Sequence, residues 1–141
     1  MTADKALLVV LAAVIERDDL ILVAQRPAGT HLGGHWEFPG GKMEPGETHT
    51  QCLEREIREE LGAVVEVGRE VLATRCEYPD RIVALHFRCC VLQGAPTPML
   101  GQPMRWVPRS ELHTLRFPPA DRELVNLLVS GQLRCGTDAR G

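Results

Sequence analysis

A run of glycines and prolines between residues 26 and 47 is the feature that most constrains how this chain can fold. Nine of these 22 positions are Gly or Pro, and both residues interrupt regular helices and strands. We therefore predict one long loop without regular structure. Compact domains keep loops of this length mainly for function, so we expect functional residues in or beside it.

Strands are predicted before this loop and a helix after it. Residues 7–16 and 20–25 are apolar, β-branched runs joined by a short polar turn, a pattern typical of a hairpin. Residues 48–61 have helical periodicity, with Thr48 as the N-cap and Gly62 as the stop. The buried stripe predicted for this helix consists of Cys52, Leu53, Ile57 and Leu61.

The remaining elements predict an α/β fold. Strands are expected at residues 63–76, 81–92 and 104–107, and a last helix at 120–129, followed by a frayed tail. No repeat or linker divides the chain, so we predict a single domain over residues 1–141 with a core from about 6 to 131. The element order favours an α/β sandwich with a mixed sheet rather than a doubly wound sheet.

Charge and hydropathy exclude several classes of protein. The net charge is −3, from 16 basic and 19 acidic residues, without the basic surface that coats nucleic acid. The apolar run at residues 6–15 is too short to span a bilayer and lacks the flanks of a secretion signal. We therefore expect a cytoplasmic protein whose partners include neither a nucleic-acid polymer nor a membrane.

The five cysteines lack the spacing of a zinc or redox site. We predict that they are reduced thiols, buried as small apolar side chains. Cys89 and Cys90 are neighbours in a predicted strand, so their side chains should point to opposite faces of the sheet.

Three glutamates of the central helix suggest a metal site. Glu56, Glu59 and Glu60 are spaced so that their carboxylates share one helix face. Such charges repel unless a cation lies among them, and hard oxygen ligands suit Mg²⁺, with Mn²⁺ as an alternative. Taken alone, the cluster is equally consistent with a solvated face on which Arg55 and Arg58 offset the acids.

The residues around these glutamates decide between the two interpretations. Gly41 is followed after five residues by Glu47, and after seven more by Arg55-Glu56-Ile57-Arg58-Glu59-Glu60-Leu61-Gly62-Ala63. This run resembles the Nudix box, Gly-x5-Glu-x7-Arg-Glu-aliphatic-x-Glu-Glu-x-Gly-aliphatic, at every polar and glycine position. Only Ala63 is smaller than the usual aliphatic residue.

The resemblance implies the Nudix α/β/α sandwich and a metal-dependent hydrolase. The metal ligands that it implies are the Gly40 carbonyl, Glu56, Glu59 and Glu60. Arg55 would belong to the catalytic group and would also pair with Glu47, holding the loop against the helix. The structural residues of the motif would be Gly41, Glu47 and Gly62.

Outside the box, the chain is similar to MutT-like Nudix hydrolases from Ala12 to about Leu128. The stretches at 37–42, 78–81 and 117–121 are similar to segments that build the nucleotide pocket of those enzymes. The substrate-binding residues implied in this way are Arg26, Glu37, Phe38, Lys42, Arg81 and Asp121. Phe38 also fits an ordinary core position, and Arg26 and Arg81 also fit a solvated surface.

The implied activity is hydrolysis of a nucleoside triphosphate to the monophosphate and pyrophosphate. A modified nucleotide such as 8-oxo-dGTP is the first candidate, which would place the enzyme in nucleotide-pool sanitation and DNA repair. Asp121 stands where MutT has Asn, and an ionised Asp only accepts hydrogen bonds, which suits an exocyclic amine of cytosine or guanine. This position and the stretches at 16–18 and 24–27 also resemble the CTP pyrophosphohydrolase branch, so CTP or dCTP is the alternative. A non-catalytic nucleotide-binding module is a third hypothesis. We expect a monomer or a weak homodimer.

One acid expected from the resemblance is missing. MutT-like enzymes usually supply a catalytic glutamate from the loop before the strand of Trp106, and Leu100 occupies that position here. The chain has no Asp or Glu between Arg81 and Ser110, so a neighbouring loop carboxylate cannot substitute. We therefore expect that Glu59 acts as the general base, or that turnover is slow.

Overall fold

The computed structural model describes residues 5–136 and contains seven strands and two α-helices within that range. The strands are β1 (Ala6–Arg17), β2 (Leu20–Gln25), β3 (Trp36–Glu37), β4 (Gly40–Lys42), β5 (Val64–Glu77), β6 (Arg81–Gln93) and β7 (Met104–Pro108). The helices are α1 (His49–Leu61) and α2 (Arg122–Ser130), and 3₁₀ turns occupy Arg109–Thr114 and Pro119–Asp121. Neither α-helix of the described part is long and apolar enough to cross a membrane.

The strands form one mixed sheet around β1. Their order is β3-β2-β1-β6-β5, with β4 also paired to β1 and β7 to β2. β1 and β6 run parallel from Ala6 to Ile15 of β1, whereas the pairs of β1 with β2 and of β5 with β6 are antiparallel. The prediction of a mixed sheet is therefore confirmed.

The two helices cover opposite faces of this sheet. Along β1, Leu11 and Ala13 pack on the side of α1, whereas Ala12 and Val14 pack on the side of α2. This alternation is what a strand buried on both faces requires. The result is an α/β/α sandwich, as the sequence predicts.

Helix α1 begins and ends where its capping residues predict. The Thr48 hydroxyl accepts a hydrogen bond from the Gln51 N–H at 3.1 Å, and the Gln51 side chain accepts one from the Thr48 N–H at 2.9 Å. This reciprocal pair is a capping box. Gly62 ends the helix in a left-handed conformation with φ +59°. All four residues of the predicted stripe are buried.

The prediction of a structureless loop at residues 26–47 is wrong in part. β3 pairs with β2, and β4 pairs with β1. Strands of two or three residues are too short to show any periodicity in the sequence. The prediction also missed the 3₁₀ turn Arg109–Thr114, and α2 begins at Arg122, after a second 3₁₀ turn, rather than at residue 120.

The prediction that all five cysteines are reduced is also wrong. Cys89 and Cys135 form a disulfide across a sequence separation of 46 residues. Cys52, Cys76 and Cys90 are free, and Cys52 and Cys90 are buried. Cys89 and Cys90 do lie in opposite cores, as their strand positions predict.

Residues 132–136 are packed against the molecule and not frayed. Leu133 contacts the core beneath α2, and Cys135 is buried in it. The Arg109 guanidinium, only 4% exposed, pairs with Glu16 and donates to the Leu133 carbonyl at 2.6 Å. Glu16 in turn accepts the Cys135 N–H at 3.0 Å. We call these contacts the Glu16–Arg109 network. The rest of the tail predicted to be frayed, 137–141, lies outside the described residues.

Candidate active site

The three glutamates of α1 share a helix face but differ in environment. Glu60 points toward β4, where the Gly40 N–H donates to its Oε2 at 3.1 Å. Glu56 is mostly buried and pairs with Arg55 at 2.7 Å. Glu59 is 57% exposed, and its nearest cation is Arg55 at 3.4 Å. The helix thus presents two sheltered carboxylates and one that faces solvent.

No cationic side chain among the described residues compensates the ionised form of Glu60. Burial and the nearby charge of Glu56 raise the pKa of Glu60 to about 8. Among residues 5–136, no lysine or arginine forms an ion pair with it. Burial also raises the pKa of Glu56, although the hydrogen bond from Arg55 opposes that rise. A divalent cation would stabilise both ionised carboxylates.

Two glycines bring the backbone of β4 against these carboxylates. A Cβ added to Gly41 would overlap the carboxyl group of Glu56, and one added to Gly40 would overlap the Leu11 carbonyl. Any larger residue would displace the strand or the glutamate. Sheltered carboxylates held this closely against backbone make an oxygen-rich wall, which is the donor set that Mg²⁺ and Mn²⁺ prefer.

Arg55 joins the loop to the helix. Its Nε and Nη2 bind the two Glu47 oxygens at 2.7 and 3.0 Å, and Nη2 also donates to the Lys42 carbonyl at 3.0 Å. The predicted pair of Glu47 and Arg55 is therefore present. The hydrogen bond from Arg55, with one from the Glu44 N–H, lowers the pKa of Glu47 to about 2. Arg55 thereby fixes Glu56 as well as the loop.

A cleft of about 340 Å³ opens beside Glu60 on the α2 side of the sheet. Its wall includes eight residues predicted for the site, namely Arg26, Glu37, Phe38, Gly40, Gly41, Glu60, Arg81 and Asp121. Lys42 does not reach this cleft and instead lies with Glu56 beside a separate depression at residues 42–45. The fold therefore brings together most of the predicted substrate residues but leaves Lys42 outside.

Arg26 is held by the protein rather than free in the cleft. Its Nη1 pairs with Glu37 at 2.9 Å, and its Nε donates to the His31 carbonyl at 2.9 Å. These bonds anchor the loop that follows β2. The charge of Arg26 is thus shared with Glu37 before any substrate arrives.

Asp121 is only 6% exposed and lies in the same cleft as Glu37. Burial, and then the charge of Glu37, raise the pKa of Asp121 to about 7. At neutral pH this carboxyl exists in both protonated and ionised forms, and the protonated form donates a hydrogen bond. The acceptor role expected for Asp121 therefore belongs to its ionised form only.

Phe38 lines the cleft and also packs into the core on the α2 side of the sheet. Phe38 stacks on Phe117 with ring centroids 5.2 Å apart and meets Phe87 edge-on at 6.0 Å. Phe38 is thus both a core residue and a cleft residue, so its two interpretations are compatible. The Arg81 guanidinium lies 5.0 Å from the centre of the Tyr78 ring.

Sequence reasoning missed several residues of the cleft wall. These are chiefly His31, Leu32, Val83 and Leu85. The period of two along β6 places Val83 and Leu85 on one face with Arg81, so that pattern could have identified them. His31 and Leu32 lie in the irregular loop, where no periodic signal exists.

Leu100 lies where the missing acid is expected, close to the carboxylates. It is 72% exposed and lines a recess of about 50 Å³ that Glu37 and Glu60 also line. Its N–H donates to the Gln102 side chain at 2.9 Å, and Gln102 donates to the Glu60 carbonyl at 2.9 Å. This loop is therefore tied to the end of α1, but it offers no carboxylate.

A larger cavity than this cleft lies elsewhere among the described residues. It measures about 750 Å³ and lies between β5 and α2, lined by residues such as Thr74, Arg122 and Asn126. None of the predicted site residues borders it. Its charged side chains, Arg122 and Glu123, are exposed, so this cavity lacks the sheltered carboxylates that line the smaller cleft.

Comparisons with known proteins agree with this geometry. The family model described as NUDIX domain matches residues 10–127. The CTP pyrophosphohydrolase of Escherichia coli (strain K12) is 40% identical over 122 residues, which cover 86% of this chain and 90% of that protein. The 8-oxo-dGTP diphosphatase of Haemophilus influenzae is 34% identical over 129 residues, covering 90% and 95%. The solution structure of the E. coli ORF135 protein has a TM-score of 0.81 at 37% identity, covering 95% and 96%.

Proposed function

The chain belongs to the Nudix family of hydrolases, and from that premise we propose that it cleaves nucleoside triphosphates to the monophosphate and pyrophosphate with the help of Mg²⁺. One observation carries the proposal. Glu60 lies with the glycines of β4, Phe38 and Asp121 at the wall of one cleft, and the Glu56 carboxyl packs against Gly41 of the same strand. A polyphosphate and a base could then occupy the two ends of that cleft.

The proposed metal ligands are the Gly40 carbonyl, Glu56, Glu59 and Glu60, with Mn²⁺ as a substitute for Mg²⁺. The raised pKa of Glu60 supports this assignment, because the carboxylate lacks a cation of its own. When bound, the ion would neutralise phosphate oxygens and lower the pKa of the attacking water. A chain with a surplus of carboxylates needs such an ion before an anionic substrate can approach.

Arg55 and Glu59 have separate roles in the proposed reaction. Arg55 holds Glu56 and the loop in place through its bonds to Glu47. Glu59 is the proposed general base, because it is the most exposed of the three acids and water reaches it directly. Since Leu100 supplies no carboxylate, this proton transfer rests on α1 alone.

The base-binding end is proposed to lie beside Phe38 and Asp121, with Arg81 in the same cleft wall. The first candidate substrate is a modified purine such as 8-oxo-dGTP, as for the H. influenzae relative. The alternative is CTP or dCTP, which the 40% identity to the E. coli CTP pyrophosphohydrolase supports. The ionised form of Asp121 accepts from an exocyclic amine of either base, and the protonated form can donate.

A nucleotide panel tests this function. The chain is incubated with Mg²⁺ and, in turn, 8-oxo-dGTP, dGTP, CTP, dCTP and ADP-ribose, and the release of pyrophosphate and phosphate is measured. We expect pyrophosphate from at least one triphosphate and no reaction after addition of EDTA. Release of phosphate alone, or undiminished activity in EDTA, would contradict the proposal. The relative rates in the panel separate the two candidates, and Asp121→Asn tests whether the ionised acceptor is needed, because it removes the charge but retains a carbonyl and adds a permanent donor.

The wider setting remains part of the proposal. We propose a single domain over residues 1–141 that acts in the cytoplasm as a monomer or weak homodimer. Its role would be sanitation of the nucleotide pool, and thereby DNA repair. Size-exclusion chromatography with light scattering measures the oligomeric state directly.

A further inference from the structure

Three side chains with metal-binding atoms meet at the far end of α1, away from the cleft. His49 is the first residue of α1, Glu70 belongs to β5 and His86 to β6. One ligand atom from each lies within 4.8 Å of the other two. We propose that these residues form a second metal site, specific for Zn²⁺ rather than Mg²⁺, which we call the His49 site.

The fold assembles this group from three separate elements. Even-numbered residues of β6 face α1, as the buried Cys90 shows, and this places His86 beneath the first turn of the helix. The register of β5 shifts twice between Val67 and Leu72, and Glu70 reaches His86 with Oε1 2.5 Å from Nδ1. The rings of His49 and His86 have centroids 4.6 Å apart. No local repeat in the sequence produces such a meeting.

The His49 site is distinct from the carboxylates of the box. Glu56 lies seven residues beyond His49 on α1, which is about 10 Å along the helix axis at 1.5 Å per residue. None of the three residues borders the cleft beside Glu60. The two groups therefore occupy the two ends of one helix and bind their ions independently.

The donor set selects the metal. Two imidazoles and one carboxylate are a known set for Zn²⁺, with an open fourth position, whereas Mg²⁺ prefers oxygen ligands alone. Zinc binds such ligands at about 2.0–2.1 Å, so tetrahedral ligand atoms lie about 3.4 Å apart. The observed separations, from 2.5 Å to within 4.8 Å, bracket that value. The Glu70 side chain is 37% exposed and is free to make the small movement required.

The positive charge of Arg88, a neighbour of the His49 site, opposes zinc binding. Arg88 lies on the same face of β6, but its Nε donates to the Gly68 carbonyl at 3.1 Å, which directs the guanidinium toward the backbone of β5. The Glu70 carboxylate offsets part of the ion's charge. Zinc bound here would join the first turn of α1 to two strands and stabilise the folded state by mass action.

A zinc titration tests the His49 site. The intact chain, carrying Cys76→Ser to remove its partly exposed free thiol, is freed of metal and titrated with Zn²⁺ by calorimetry in excess Mg²⁺. We expect one zinc ion per chain. His49→Gln, Glu70→Gln and His86→Gln should each weaken binding at least about tenfold, since each removes a ligand. His113→Gln, an exposed histidine of the 3₁₀ turn, is the matched control and should bind like the parent.

Several results would overturn the proposal. These are absence of zinc uptake by the parent, full affinity in the His49→Gln and His86→Gln variants, and an equal loss in the His113→Gln control. Thermal unfolding without metal verifies that each variant folds. If one does not, Co²⁺ absorption of the parent still decides: tetrahedral bands without thiolate charge transfer support the site, and thiolate charge transfer or octahedral bands contradict it.

Discussion

Two groups of buried acids in this protein are compensated in opposite ways. In the Glu16–Arg109 network, Glu16 meets a guanidinium and the Cys135 N–H. At the end of α1, Glu60 accepts one backbone N–H, and its charged neighbour Glu56 has the same sign. Burial raises the pKa of both Glu16 and Glu60, but in Glu16 the hydrogen bonds from Arg109 and Cys135 reverse the shift.

The contrast separates a structural role from a functional one. When a buried carboxylate has an arginine partner, folding alone compensates its negative charge. When its only close charges are other carboxylates, that compensation comes from a cation bound from solution. Stability should therefore depend on the first group and catalysis on the second.

The largest expected effect comes from breaking the network. Arg109→Met leaves the buried Glu16 carboxylate without its partner, which typically lowers the free energy of unfolding by about 3–5 kcal/mol. Urea denaturation measures this change. Arg116→Met, at an exposed arginine in the segment before α2, is the control and should have little effect. An Arg109→Met loss as small as that of the control would mean that the network is not structural.

At the end of α1, substitutions of the glutamates should lower turnover rather than stability. Glu59→Gln and Glu60→Gln should each lower turnover by at least about 100-fold, equivalent to about 2.7 kcal/mol in the activation barrier. Their free energies of unfolding without metal should change little, because Glu60 has no cationic partner and the exposed Glu59 has only a 3.4 Å contact with Arg55. Steady-state kinetics and urea denaturation give both quantities. Glu54→Gln, on the exposed side of α1, should change neither, and unchanged rates in both variants would refute the metal assignment.

A smaller effect should appear in the pH dependence of the stability of the metal-free protein. The pKa of Glu60 is about 8 in the folded state against an ordinary value of 4.5, so the folded chain holds this proton more tightly than the unfolded chain. Its contribution to stability is then complete below pH 4.5 and is lost as the pH rises through about 8. Asp121, with a pKa of about 7, acts in the same direction.

Thermal unfolding between pH 5 and pH 9 measures that decline. Mg²⁺ should reduce it, because the ion favours the ionised carboxylates, and Glu60→Gln should reduce it without metal. A decline that neither Mg²⁺ nor Glu60→Gln alters would show that Glu60 is already compensated. Glu60 would then be compensated within the protein, as Glu16 is in the Glu16–Arg109 network, and the proposed contrast between the two groups would be wrong.

The smallest expected effect is a rise in turnover. Leu100→Glu adds a carboxylate to the recess that Glu37 and Glu60 share. We expect turnover to rise by up to about tenfold, less than a well-placed general base provides, because this side chain is exposed. Met99→Glu adds the same charge one residue earlier and is the control. If both variants raise the rate equally, or neither does, the missing acid does not limit this enzyme.

The predictable parts of the fold are those with local signals. Thr48 and Gly62 bound α1, and Asp18 and Asp19, both with positive φ, form the predicted turn between β1 and β2. Other contacts join residues that are distant in the sequence. The Cys89–Cys135 bond and the burial of Arg109 depend on where β6, the 3₁₀ turn and the tail meet, and no local pattern carries that information.

The candidate site was predictable in composition but not in environment. The box identifies Glu56, Glu59 and Glu60 as a group, yet their unequal burial depends on how closely β4 approaches the helix. The raised pKa of Asp121 likewise follows from its depth and from Glu37 across the cleft. The His49 site was not predicted, because its ligands come from three elements.

Diffraction from a crystal grown with Mn²⁺ tests the central claim most directly, since the anomalous signal locates the ion without reference to activity. We expect a peak bound by the Glu56 and Glu60 carboxylates and the Gly40 carbonyl. Absence of any peak there, with Glu60 still accepting the Gly40 N–H in saturating Mn²⁺, would contradict it.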